Sequence, residues 1–166
     1  KKSKISISSE NNFSFKLNNK KLKNFKFEST SKFDEINFKE TLNLPININS
    51  GDMNLKYIED NLNININTKY YFNNDKNNKS NLGDAQILVI KNNSQNFKIN
   101  STFSNKNNKI NISEIKNFFN LEDSFLPNQD IIFDSNNSLS FELNKKNQIK
   151  NYKLNSNLKV NELEIF

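Results

Sequence analysis

Apolar and polar residues alternate one for one along most of this chain, a period of two that marks strands with one buried and one wet face. Ile5 and Ile7 open the series, then Phe13, Phe15 and Leu17, then Leu22, Phe25 and Phe27 with an irregularity between the first two. Asn18-Asn19-Lys20-Lys21 has the chemistry of a hairpin turn. Leu42, Leu44, Ile46 and Ile48 keep one parity across Pro45, whose missing N–H points to an edge strand or an outward-facing gap. Asn49-Ser50-Gly51-Asp52 reads as the next turn, and Gly51 and Gly83 both read as turn residues.

Met53, Leu55 and Tyr57, the turn Glu59-Asp60-Asn61, and the run Leu62, Ile64, Ile66, Thr68, Tyr70, Phe72 form the clearest hairpin. Residues 73–81 bury almost nothing and are expected to be a loop. Ala85, Ile87 and Val89 follow, then a turn at Asn92-Asn93-Ser94, then Phe97, Ile99, Ser101 and Phe103. A further turn is expected at Asn105 to Asn108, before Ile110 and Ile112. From Ile112 through Ile115, Phe118 and Phe119 the spacing changes to three and four, which predicts at most one short helix near 113–121. Ile131 and Phe133 lead to Leu139, Phe141 and Leu143, then Ile149, Tyr152 and Leu154, then Leu158 and Val160, with a slip into Leu163 and Ile165 that reads as a β-bulge.

The opposite parity is nearly all Asn, Lys, Ser and Glu, as in Asn63, Asn65 and Asn67. A sheet with one solvated face is antiparallel, because parallel sheets are covered on both sides. The expectation is an all-β antiparallel meander forming a curved, groove-like sheet with one apolar face. A single segment over 1–166 is expected, cut from a larger protein. The chain starts at Lys1 without an initiator Met or signal-peptide core, and Leu163, Ile165 and Phe166 end it within a strand pattern.

Composition changes this picture in three ways. A hydrophobic fraction of 34% is low for a globular domain, yet 15 Phe with only 2 Gly and 2 Pro is not the signature of disorder. The net charge of +6 comes from scattered lysines. Arg, the best bidentate ligand for phosphate and guanine, is absent, which argues against nucleic acid as a partner and for codon bias in an AT-rich genome. No apolar run reaches the length that spans a bilayer.

Zero Cys and zero His remove thiol catalysis, nucleophile–base pairs of the usual kinds and most transition-metal sites. The carboxylate pairs Glu59-Asp60 and Glu122-Asp123 sit in expected turns, where charge is ordinary. Neither calcium-loop spacing nor a glycine-rich phosphate loop occurs. No enzyme and no cofactor are expected.

An apolar sheet face of this size must be covered, because exposed patches beyond a few hundred Å² mark interaction sites or liabilities. A sandwich or barrel would close the face on itself, whereas a single curved sheet would present it to a ligand. The candidate lining for lipid is Phe13, Phe15, Leu17, Phe25, Phe27, Met53, Leu55, Tyr57, Leu62, Ile64, Ile66, Ile87, Val89, Phe97, Ile99, Leu139, Phe141, Leu143 and Leu154.

The stretch Gly51-Asp52-Met53-Asn54-Leu55-Lys56-Tyr57, with Asn61 to Ile66 and Thr68-Lys69-Tyr70-Tyr71-Phe72, resembles repeating units of the AsmA-like family of Gram-negative envelope proteins, of the TamB and YhdP type. Asn136 to Leu143 with Ile149, Tyr152, Leu154 and Leu158 to Ile165 is similar. The resemblance consists of strand rhythm and turn placement over most of the chain. It implies a periplasmic protein anchored to the inner membrane through segments outside this one. Neighbouring β segments would continue a groove that carries phospholipid to the outer membrane. The alternative is a structural or adhesive β-rich module of a surface protein, in which the same side chains are core.

Overall fold

The computed structural model describes residues 6–37, 46–72, 82–92, 96–113 and 129–163. They form one all-β, antiparallel, unclosed sheet of nine strands: β1 (Ile7–Asn18), β2 (Lys21–Phe33), β3 (Ile36–Asn37), β4 (Ile46–Ile58), β5 (Asn61–Phe72), β6 (Gly83–Lys91), β7 (Phe97–Asn111), β8 (Asp130–Leu143) and β9 (Ile149–Leu163). Eight lie side by side in the order β1-β2-β4-β5-β6-β7-β8-β9, and the two-residue β3 pairs only with the start of β4. β1 and β9 are the two edges. The expected loop at 73–81 lies outside the described residues, as does the expected helix beyond Ser113.

The strands are longer than the turn signals in the sequence imply. β4 runs unbroken through Asn49-Ser50-Gly51-Asp52, which is not a turn. β7 runs through Asn105 to Asn108, also not a turn. Ile7 belongs to the same strand as Phe13, and Ile131 to the same strand as Leu143. At 12 to 15 residues for most members, these exceed the usual strand length. β4 is also an interior strand, between β2 and β5, so the edge position inferred from Pro45 does not hold; Pro45 itself lies outside the described residues.

Asparagine explains both misread turns. The pairing shifts register five times, and each shift carries an Asn as an extra residue: Asn24 in β2, Asn49 in β4, Asn107 in β7, and Asn151 and Asn161 in β9. Three of these, Asn24, Asn107 and Asn151, adopt positive φ of 53°, 51° and 53°. Asn tolerates that left-handed conformation better than other residues with a Cβ, because its short amide bonds locally. A bulge of this kind bends a strand and resets its parity without ending it. The irregularity expected between Leu22 and Phe25, and the slip after Val160, are two of the five.

The two tightest turns are as expected. Asn19 and Lys20 join β1 to β2, and Glu59 and Asp60 join β4 to β5, all four with positive φ between 46° and 66°, as a two-residue turn matched to strand twist requires. Between β8 and β9 the Asn144 amide oxygen accepts hydrogen bonds from the backbone N–H groups of Lys146 and Gln148 at 2.9 and 3.0 Å, which fixes that turn.

Neither glycine is in a turn, contrary to the expectation for Gly51 and Gly83, and neither has positive φ. Both sit in strands opposite an aromatic residue, Gly51 against Phe33 and Gly83 against Tyr70. The ring lies over the bare backbone: a Cβ on Gly51 would stand 2.3 Å from the Phe33 ring and 2.7 Å from the Asn67 carbonyl oxygen. Gly51→Ala therefore forces the ring off its seat, a form of overpacking, and is expected to cost about 1–3 kcal/mol. Urea or thermal unfolding of the variant checks this, and an unchanged midpoint would contradict the close approach.

Candidate functional site

Register decides which side chains share a face. Ser9, Ser31, Met53, Ile66, Ile87, Ser101, Leu139 and Leu154 pair in succession and form one row across the sheet. The next row is Asn11, Ser29, Leu55, Ile64, Val89, Ile99 and Phe141. Phe13, Phe27, Tyr57, Leu62 and Lys91 make the third, continued by Phe97, Leu143 and Ile149. Phe15, Leu17 and Phe25 follow their strand neighbours onto the same face. All nineteen candidate lining residues thus stand on one side of the sheet.

The strip is densest on β4 to β8, where its members are half-buried against one another. Towards β1 it thins: Ser9 and Asn11 face Ser31 and Ser29, and Phe13 and Leu17 are 69% and 70% exposed. Lys91 interrupts the third row, but its ammonium lies 5.0 Å from the centre of the Phe97 ring, so its stem covers apolar surface while its charge meets the ring face.

Beyond the strip, at the opposite ends of the strands, lies a tighter cluster. Tyr70 meets Phe72 at 5.9 Å and Phe103 at 6.4 Å between ring centres, and Phe72 meets Phe133 at 5.8 Å. Phe72 is on β5 and Phe133 on β8, three strand spacings or roughly 14 Å apart on a flat sheet. Their contact requires the sheet to curl there with its apolar face inward. Buried Ile110 and Ile112 adjoin this end, and buried polar groups share it: the Asn105 amide donates to the Ser135 hydroxyl at 2.7 Å, and Asn108 donates to the Asn105 oxygen at 3.1 Å. Tyr70 bonds to Asn105 while burial pushes its hydroxyl up to about 12. Tyr71, on the other face, donates to Glu35, and burial together with that carboxylate raises it to about 12.

A second feature was not legible in the sequence. A trough of about 1050 Å³ crosses seven strands and touches three consecutive residues on each, from Lys32-Phe33-Asp34 on β2 to Asn155-Ser156-Asn157 on β9. None of the nineteen candidate residues lines it. The central residues Gly51, Thr68 and Ala85 are covered on the apolar side, Gly51 by Phe33, while Thr68 and Ala85 are buried. The trough therefore opens on the polar face, with their backbone as its floor. Asn67 donates to Asp52 at 3.1 Å and Lys69 bridges to Asp84 at 2.7 Å on its walls. Further along this face Lys26 and Lys56 flank Glu28 at 2.9 and 3.3 Å and hold its carboxyl below the usual range. Both pairs are exposed, so solvent screens them and they add little to stability.

Among the described residues no group of His, Cys, Asp and Glu could hold a metal ion, and no helix is long and apolar enough to cross a membrane. Comparison with protein families, with characterised proteins and with solved structures gives no match.

The two raised tyrosines set an alkaline limit. Their neutral forms are favoured in the folded state, so the stabilisation is complete below the unfolded value near 10 and is lost as pH rises towards 12. The urea midpoint of the wild type is expected to fall across that window more steeply than that of the Tyr70→Phe/Tyr71→Phe variant. Parallel curves for the two proteins would show that neither hydroxyl is responsible.

Proposed function

We propose that the apolar face is a non-catalytic bed for the acyl chains of phospholipid, in a protein of the bacterial envelope that carries lipid between membranes. The observation that supports this reading most is a single open sheet whose apolar strip continues across β4 to β8 with no second strand layer over it among the described residues. The curl that brings Phe72 to Phe133 supports it further, since it turns the apolar side inward.

Magnitudes suit a conduit better than a store. Burying a long acyl chain completely is worth roughly 12 kcal/mol at about 0.8 kcal/mol per methylene. An open face covers about half of the chain's surface, leaving roughly 6 kcal/mol, which corresponds to a dissociation constant of roughly 10⁻⁴ M. Lipid held so loosely moves along the strip. The rows offer no fixed polar anchor at their centre, where Ile64, Ile66, Ile87 and Val89 meet.

A structural or adhesive module is the second reading, and the outward exposure of both edge strands along their length favours it.

A short-chain phospholipid titrated into the chain at equilibrium, read by the anisotropy of a labelled acyl chain, is expected to bind at a concentration of roughly 10⁻⁴ M. Ile64→Asp and Phe141→Asp, each placing a charge on the strip, are expected to reduce bound lipid at least tenfold while far-UV circular dichroism stays that of the wild-type sheet. Unfolding of both variants, or a wild-type protein that binds no lipid, would favour the structural module.

A further inference from the structure

We propose that Lys91 receives the phosphate of a phospholipid lying on the apolar face, so that the lipid head is held at the C-terminal end of β6 and the acyl chains run back along the strands. The proposal rests on the lipid-bed reading above and names which end of that bed is polar. Of the strand residues that register places on the apolar face, Lys91 is the single charged one among the described residues.

Its place is fixed on both sides. Leu62 stands opposite it on β5, and the Phe97 ring on β7 lies with its centre 5.0 Å from the ammonium. Lys91 forms no ion pair with a described residue. The carboxylate of Asp60, in the turn beside this row, accepts instead from the Tyr57 hydroxyl at 2.7 Å. Lys91 is half-buried, and acyl chains laid over Leu62, Val89 and Phe97 would bury it further. An ammonium withdrawn from solvent needs an anion as its partner. The phosphate supplies one, and because it sits at one end of the lipid, it meets Lys91 in one orientation only.

The face has room for the chains in that orientation. From Lys91 back to Ala85 along β6 is six residues, roughly 20 Å at the rise of a strand. One leaflet's acyl layer is about 15 Å deep, half of the hydrocarbon core of a bilayer. Between those limits Val89 and Ile87, with Ile64 and Ile66 beside them, are half-buried and uncharged, and the face closes at buried Ala85 and Thr68. The chain ends therefore stop short of the aromatic cluster around Tyr70.

Equilibrium titration of the full chain with two acyl-labelled probes tests this: short-chain phosphatidylglycerol, and diacylglycerol with the same chains and no phosphate. The wild type is expected to bind the phosphatidylglycerol roughly fivefold more tightly, the effect of one lysine near an acidic headgroup. Lys91→Glu is expected to abolish that preference while leaving diacylglycerol binding unchanged. Lys91→Gln gives the same readout if the first variant fails to fold. Lys153→Glu, an equal change in net charge on the polar face of β9, is expected to keep the preference. A wild type without preference, a preference that survives Lys91→Glu, or equal weakening of both probes would overturn the proposal and leave the lipid bed standing. A wild type that binds neither probe would overturn both.

Discussion

Everything else in this sheet depends on the backbone ladder between strands that are neighbours in sequence. No second layer among the described residues packs across the strands, so a side chain finds its apolar partners only where register places them. A slip of one residue would move a strand's whole apolar set to the wet face. The five bulges are what keep that from happening: β4 changes parity at Asn49 so that Ile48 and Met53, an odd number of residues apart, point the same way.

The asparagines are therefore structural. A chain with two glycines needs other residues to take up left-handed backbone, and among the described residues five of the eight non-glycine positions with positive φ are Asn. The glycines are released for another use, lying flat beneath Phe33 and Tyr70 where any Cβ would collide. The tolerance of Asn for positive φ explains why so much of it is compatible with long strands.

Alternation made the fold class, the antiparallel order and the membership of the apolar face legible, because each follows from period two alone. The turn at Glu59-Asp60 was legible because acidic residues and Asn border a clean change of strand. Asn105 to Asn108 resembled it closely in composition, and only pairing with Ser135 and Phe133 on β8 shows that the strand continues. The trough and the Phe72–Phe133 contact were not legible at all. Both arise from residues more than forty positions apart that are brought level by several successive registers, and small errors in strand length accumulate over that distance.

Because each strand touches chiefly the strands beside it in sequence, the molecule is close to one-dimensional in its energetics, as solenoid repeats are. Folding can begin at any hairpin, the tight turns after β1 and β4 being the shortest closures, and structure spreads outward one strand at a time. The same locality bears on descent. Duplicating or deleting a hairpin pair lengthens or shortens the sheet by two strands, restores the alternation of direction and leaves distant registers untouched, so the reach of such a sheet is a quantity evolution adjusts by counting hairpins.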